Sequence, residues 1–355
     1  MSTYRTYHIR KPSPSVLESQ PGFHSLTIEH DAIPTLKANE VLVKIHAVSL
    51  NYRDLWMPAN IARYPTPEGL IPCSDCAGEI TQLGPSAKKF AIGDRVCPIM
   101  IQTWIYGQKD LLKNWKSVLG NPRDGVLREY AVFDEEGLVK IPEHLSWQEA
   151  ACLPCAYVTA WNALFGGDRS LKLGDTLLTH GTGPVSLAAV QFAVAAGAEI
   201  IATTSTKAKE ERLRGMGVRH VINYRDIENW GEEAKKLSFE SRGADFVVDI
   251  GGMGTLEQSY KAVRTDGVIL GVGQRGGKVD EKDGVGIDEA FQYSASFRKV
   301  MVGSRQTFEE MCRAIRVSGF QPMVDEKVFA FEDAREAYRY LYDQKHLGNV
   351  VIGVG

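Results

Sequence analysis

The sequence predicts an α/β protein of two domains, one β-rich and one built on a doubly wound parallel sheet. Three observations lead there. The chain has 355 residues, about two domains at the usual ~100–200 residues each. From Leu26 to about Ile141, short strand-like runs are broken by Gly, Pro and Asp turns. From Gly174 onward, apolar strand runs alternate with helical ones, and that alternation requires parallel pairing through right-handed crossovers.

In order along the chain, Tyr4 to Arg10 reads as a first strand, and Glu40 to Val48 alternates in part. Gly93 to Val96 and Leu127 to Phe133 are short strands between turn residues. Around Ser146 the character changes: Ser146 with Glu149 fits a helix capping box, and Ala150 to Leu164 is rich in helix formers. Thr176 to Thr179 is a strand, Val185 to Ala196 an Ala-rich helix, Glu199 to Thr203 the second strand and Lys207 to Met216 the second helix. Val218 to Ile222, Asp245 to Ile250 and Val268 to Val272 are further strands, separated by helices Trp230 to Leu237 and Leu256 to Val263. After Val300 to Ser304 the chain runs through helices Phe308 to Ser318 and Phe331 to Lys345 and ends in the strand Asn349 to Val354.

Composition narrows the function classes. Hydrophobic residues are 44%, charged residues 24%, and 41 Lys+Arg against 44 Asp+Glu give a net charge of -3. This is ordinary globular composition, which excludes disorder, collagen and a basic nucleic-acid-coating protein. Glycine stands out, with 34 residues where an average of about 7% would give fewer. Tight turns and close backbone approach to a ligand account for such an excess. Six cysteines are too few for a disulfide scaffold. With no secretion signal and no run of 18 apolar residues, a cytoplasmic protein that contacts neither membrane nor nucleic acid is expected.

The decisive local pattern follows the strand Thr176 to Thr179. Gly181 and Gly183 occupy the first two glycine places of G-x-G-x-x-G, with Thr182 between them and Pro184, Val185 and Ser186 opening the helix. Strand before and helix after are what give this motif its force. Gly181 permits the tight turn, Gly183 lets a pyrophosphate reach the backbone, and the helix start offers unpaired N–H groups and positive dipole. Ser186 replaces the third glycine and is expected to space helix from strand slightly. At the end of the second strand an NAD site carries an acid for the ribose 2′-hydroxyl. Here the text runs from Thr203 to Lys209 through hydroxyls and two lysines, with no acid before Glu210. A 2′-phosphate wants such donors and charge, so NADPH is expected over NADH.

Together with that turn, the stretches Asn51 to Asp54, Pro72 to Gly78, Gly93 to Val96, Asp124 to Tyr130, Leu153 to Trp161 and Lys345 to Ile352 resemble the medium-chain dehydrogenase/reductase superfamily over nearly the whole chain. The nearest likeness is to its zinc-free quinone-reductase and enoyl-reductase branch. The resemblance implies a GroES-like catalytic domain of residues 1–150 and 300–355, interrupted by a Rossmann domain of residues 151–299. It also implies a cofactor cleft between the two and a homodimer or homotetramer.

The family's alcohol dehydrogenases hold a catalytic zinc through Cys, His and Cys. Those positions fall here on Asn51, Ser74 and Cys155, and an amide and a hydroxyl are poor zinc ligands. The four-cysteine structural lobe is missing as well, since no cysteine lies between Cys97 and Cys152. No zinc is expected. Cys73 and Cys76 form a C-x-x-C that the neighbouring motif turns into strand residues rather than a redox pair.

Without a Lewis acid, the favoured hydride acceptors stabilise their own charge, as apolar enones, enoyl compounds and quinones do by delocalisation into an enolate or phenolate. Tyr52 and Tyr64 are the candidate proton donors, with water as the competitor. By resemblance, Asn51 approaches the nicotinamide ribose, Asp54 fixes its own loop and Arg53, and Thr159 is the nicotinamide-side hydroxyl. Ser205 and Lys209 take the 2′-phosphate, with Tyr224 against it or the adenine. The segment Gly271, Val272 and Gly273 passes the nicotinamide amide at a strand's C-terminal end. Ser304 and Asn349 either complete the pocket or simply pack loops, and His180 is read as structural. The aromatics of Met100 to Leu119, among them Trp104, Tyr106 and Trp115, line an apolar acceptor or a subunit contact. Competing with an NADPH-dependent quinone or enoyl reductase are a zinc-free carbonyl reductase and a nucleotide-binding protein without turnover.

Overall fold

The computed structural model describes residues 3–12, 23–60, 65–107, 114–273 and 292–355. They fall into two compact units, Met1–Val158 with Val302–Gly355, and Thr159–Met301. Along the chain the strands are β1 (Thr3–Ile9), β2 (Leu26–Ala32), β3 (Glu40–Leu50), β4 (Asp75–Leu83), β5 (Arg95–Pro98), β6 (Tyr130–Asp134), β7 (Leu138–Lys140), β8 (Thr176–Thr179), β9 (Glu199–Thr204), β10 (His220–Asn223), β11 (Ala244–Asp249), β12 (Val263–Gly271), β13 (Ser296–Lys299), β14 (Val324–Phe329) and β15 (Asn349–Gly353). The α-helices are α1 (Trp147–Ala151), α2 (Val158–Phe165), α3 (Pro184–Ala195), α4 (Lys207–Gly215), α5 (Trp230–Leu237), α6 (Leu256–Ala262), α7 (Arg305–Ser318) and α8 (Ala334–Tyr342).

The first unit is a seven-stranded sheet in the order β14-β15-β3-β4-β5-β7, with β6 also on β3, beside a β1-β2 ribbon. Strand β3 is its axis. One edge pairs antiparallel with β4, and the other with β15 through Ala47 to Leu50 and with β6 through Glu40 to Lys44. A strand covered on both faces is apolar nearly throughout, which is why Val41, Leu42, Val43, Ala47 and Val48 are all buried and the alternation is only partial. Helix α8 supplies Ala334, Ala337, Tyr338 and Leu341 to the same core, the one-sided spacing of an amphipathic helix.

Two expected strands are shortened by identifiable contacts. Leu127 to Glu129 do not join β6: they lie along β1, where Leu127 O accepts from Tyr7 N and Glu129 N–H donates to Arg5 O, both at 3.0 Å, while the N–H groups of Val126 and Leu127 donate to Pro72 O at 3.0 and 3.1 Å. Gly125 allows this clamp: a Cβ there would lie 2.0 Å from Cys73 O and 2.4 Å from Pro72 O. Gly93 and Asp94 close a turn, with Asp94 N on Ala91 O, so β5 begins at Arg95. The expected helix Ala150 to Leu164 is three pieces: α1, capped by Ser146 and Glu149, a π-helical turn Leu153–Tyr157, and α2. Pro154 lacks the donor an α-helical ladder needs, and π turns of this kind recur at functional positions.

The second unit is a six-stranded sheet in the order β10-β9-β8-β11-β12-β13, every pair parallel. Successive strands run outward on one side of β8 and then on the other, so the order reverses at β8. In open α/β sheets that reversal opens a crevice at the strands' C-terminal ends. The opposite ends are fastened by Asp245, which accepts from Thr176 N at 2.8 Å, Arg169 and Arg264 at 2.6 Å each and Arg242 at 3.2 Å. Burial pushes this carboxyl up, but these donors outweigh it and hold it below the ordinary carboxylate value.

Candidate functional site

In the second unit the glycine turn stands where β8 ends. Gly181 has φ +68, a left-handed conformation that side chains resist. Its N–H donates to Thr203 Oγ1 at 3.2 Å, tying the turn to the end of β9. Gly183 precedes α3 and gives no side-chain cap, and Pro184 takes the first helical position. The N–H groups that follow have no partner within the helix, which is the arrangement that receives a phosphate. Thr182 is buried and Val185 half-buried. Ser186 is buried and donates to His180 O at 2.7 Å, so it bonds helix to strand end.

The adjacent strand ends gather the remaining residues of this group. Thr203 and Thr204 are buried at the end of β9, and Thr204 Oγ1 has no hydrogen-bond partner. Ser205 and Lys209 are half-buried just beyond, on either side of the Thr206 cap of α4. Tyr224 follows β10, is 43% exposed, and donates its N–H to Thr204 O at 3.1 Å. Gly271 closes β12, and Val272 and Gly273 both donate to Asp249 O, at 2.8 and 3.4 Å. Thr159 lies buried in α2.

Asp249, at the end of β11, is a residue the sequence reading passed over. Its carboxylate accepts from Gly251 and Gly252 N–H at 2.9 Å, Thr255 Oγ1 at 2.7 Å and Ser259 Oγ at 2.6 Å. His180 Nδ1 is 3.7 Å away, and the His180 ring meets Trp230 edge-on at 4.8 Å. Burial alone pushes this carboxyl up, but His180 and the two hydroxyls carry it well below the usual range. An acid at a strand end, one residue removed from the Gly251-Gly252 pair, was the available signal.

In the first unit, Asn51 is buried between β3 and the 3₁₀ turn Tyr52–Trp56. Its N–H donates to Asp54 Oδ2 at 2.7 Å and Asp54 N–H returns to Asn51 O at 2.9 Å, while Arg53 donates to Leu119 O at 2.9 Å. Tyr52 is half-buried, its ring edge-on to Trp56 at 5.9 Å. Tyr64 lies outside the described residues. Asp75 faces Ser49 across β3 and β4, and Asn349 donates to Ser49 Oγ at 2.9 Å, so Asn349 joins this group. Ser304 is instead the N-cap of α7, accepting from Thr307 N. Of the aromatic segment, Trp104 is buried with its indole N–H on Gly107 O, whereas Tyr106 is 74% and Trp115 38% exposed. Residues 108–113 lie outside the described residues.

Asp54 and Asp75 are fully buried. Burial raises Asp54 to about 6 and Asp75 to about 7, only partly offset by Arg53 for the first and by the 2.5 Å Ser74 hydrogen bond for the second. The Asn51 side chain also lowers Asp75 by hydrogen bonding, whereas Asp54 Oδ1 and Asn349 Oδ1 have no hydrogen-bond partner. Cys73 and Cys76 are free and buried, and burial pushes both thiols up, the reverse of what a reactive pair needs. Among the described residues no group of three or more His, Cys, Asp or Glu side chains is placed to hold a metal. The set Asn51, Ser74 and Cys155 offers one thiol and does not fit a catalytic zinc.

Residues 37–143 match the alcohol dehydrogenase GroES-like domain and residues 184–316 the zinc-binding dehydrogenase domain. A zinc-type alcohol dehydrogenase-like protein of Schizosaccharomyces pombe is 37% identical over 337 residues, covering 94% of this chain and 96% of its own. The chain belongs to the alcohol dehydrogenase-like medium-chain dehydrogenase/reductases. This medium-chain oxidoreductase has the expected GroES-like and Rossmann-type folds. It superposes on the crystal structure of a putative alcohol dehydrogenase from Sinorhizobium meliloti 1021 with a TM-score of 0.89, at 31% identity and 99% coverage of both chains. It is also similar to the quinone oxidoreductase of Homo sapiens, 28% identical over 246 residues, 69% of this chain and 68% of the human one.

Proposed function

We propose that this medium-chain oxidoreductase is an NADPH-dependent, zinc-independent reductase of activated double bonds or quinones. The observation that carries the proposal is the donor set at the family's zinc positions. With Asn51 and Ser74 there, a carbonyl oxygen has no strong Lewis acid to meet, and acceptors that delocalise their own negative charge are favoured. The human quinone oxidoreductase supports the same direction by its name.

A bound nicotinamide cofactor would supply the hydride. The chain's part is to hold and orient it. The first-turn N–H groups after Gly183 would take the pyrophosphate, and Thr204 Oγ1, buried without a partner, is free to serve the same crevice. Ser205 and Lys209 would bind the 2′-phosphate, for which a cation and a hydroxyl are better suited than the acid of an NAD site. Tyr52 donates the proton that completes reduction, since a phenol can do so without carrying charge itself.

The test is stopped-flow oxidation of NADPH with a quinone, a cyclic enone and a simple aldehyde, alongside metal analysis of the purified protein. Fast turnover of the first two, slow turnover of the aldehyde and substoichiometric zinc are expected. Aldehyde reduction as fast as that of the enone, with one tightly held zinc per chain, would overturn the proposal.

A further inference from the structure

A concavity of about 370 Å³ lies wholly within the first unit, between α7, β7 and the loop before β5. Its floor is apolar: Phe90, Val139 and Cys312 are 8%, 2% and 3% exposed. Its rim carries four cations, Lys89, Lys140, Arg313 and Arg316, against one carboxylate, Glu309. In a chain with net charge -3, this is a local reversal of sign.

The four cations differ in what already engages them. Lys89 reaches Glu136 at 3.2 Å and Lys140 reaches Asp94 at 2.9 Å. Glu309 is turned toward Arg305, 3.5 Å from its Nε. Arg313 and Arg316 make no hydrogen bond or ion pair among the described residues. Three residues apart on α7, they share one face of the helix. Two unengaged guanidiniums over an apolar floor fit a ligand with a dianionic head and an organic body. Arginine's planar fork matches phosphate oxygens two at a time, while the lysines add point charge. The cavity is of the order of a small-molecule site, roughly 300 Å³ and upward.

We propose that this pocket binds a phosphate monoester of a small organic molecule, at a site separate from the glycine turn. The phosphate lies on Arg313 and Arg316, and the organic group covers Phe90 and Val139. The inference does not depend on the cofactor proposed above.

Phenyl phosphate, inorganic phosphate and benzoate are the probes, titrated into the full-length chain by calorimetry. Phenyl phosphate should bind at least about tenfold more tightly than either of the others, because only it offers both a dianion and an apolar body. Its affinity should fall about tenfold or more in an Arg313→Ala/Arg316→Ala double variant, and with rising salt. The same affinity should persist in Lys209→Ala, which alters the other candidate phosphate site. Both arginines are exposed, so the double variant should keep the wild-type circular dichroism and melting temperature. Undiminished binding in the double variant, or binding lost in Lys209→Ala, would place the ligand elsewhere and overturn the proposal. Inorganic phosphate binding as tightly as phenyl phosphate would remove the organic body from it.

Discussion

Replacing Asp75 by Asn should make the protein more stable than wild type at alkaline pH and no more stable at acid pH. The carboxyl is fully buried, and its pKa is raised from 3.8 to about 7, chiefly by burial. The folded state therefore holds a proton that the unfolded chain has released, and wild-type stability falls as pH rises from about 4 to about 7. At ~1.36 kcal/mol per tenfold change in proton affinity, the full window is worth roughly 4 kcal/mol, and the part between about pH 5 and pH 8 roughly 3 kcal/mol. Asparagine keeps the acceptor that Ser74 uses at 2.5 Å and carries no charge at any pH. Urea unfolding of both proteins at the two pH values measures the effect, read in the transition of the unit that contains Asp75 and only where the slope m is unchanged. The variant-minus-wild-type difference should grow by roughly 3 kcal/mol toward the higher pH. A difference independent of pH would refute the reasoning, because it would mean that Asp75 is already ionised in the fold.

The remaining predictions test the clamp, the cofactor and the proton. Gly125→Ala, whose Cβ would lie 2.0 Å from Cys73 O, should cost about 3 kcal/mol or prevent folding, seen as a lowered melting temperature. Lys209→Ala should weaken NADPH binding about tenfold, the worth of one charge-assisted hydrogen bond, and leave NADH binding unchanged in fluorescence titration. Equal loss for both nucleotides would contradict a 2′-phosphate contact. Tyr52→Phe should lower kcat with an enone by about 10²-fold while the Kd for NADPH stays constant; an unaltered kcat would remove this phenol from the reaction. Asp245→Asn should destabilise at neutral pH and lose that effect in acid, because a carboxyl held below its ordinary pKa contributes stability only while ionised.

Much of the second unit was legible because its elements alternate and each carries its own punctuation. Thr176 to Thr179 and Trp230 to Leu237 occur with the expected bounds, and the glycine turn falls between strand and helix. The first unit was harder to read for physical reasons. The central strand β3 is buried on both faces, so period-two alternation is muted. The stretch Leu127 to Glu129 looks like a continuation of β6, yet Leu127 N–H goes to Pro72 O and Glu129 N–H to Arg5 O, contacts more than fifty residues away in sequence. Asp249 was missed because its importance lies in four short-range donors that only the fold assembles. The buried state of Asp75 was equally invisible, since nothing in the text around it marks a carboxyl that the fold will enclose.

Those unsatisfied groups are unevenly placed, and their placement bears on function. Folded proteins pair nearly all buried polar atoms, because an orphaned one costs roughly 1–3 kcal/mol. Orphaned side-chain atoms among the described residues recur at two places. Asp54 Oδ1 and Asn349 Oδ1 lie near the end of β3 in the first unit. Thr179 Oγ1 and Thr204 Oγ1 stand at the ends of β8 and β9 in the second. Apolar residues of similar volume would relieve most of that cost, as they often do in place of buried ion pairs. What the fold itself leaves unpaired is what a ligand or an ordered water can satisfy. Both places are also where the resemblance puts the cofactor, reached from opposite starting points: one from glycine spacing, the other from the Asn51 motif. The first unit's polar corner brings together an amide at Asn51, a hydroxyl at Ser74 and, at Asp75, a carboxyl that burial raises to about 7.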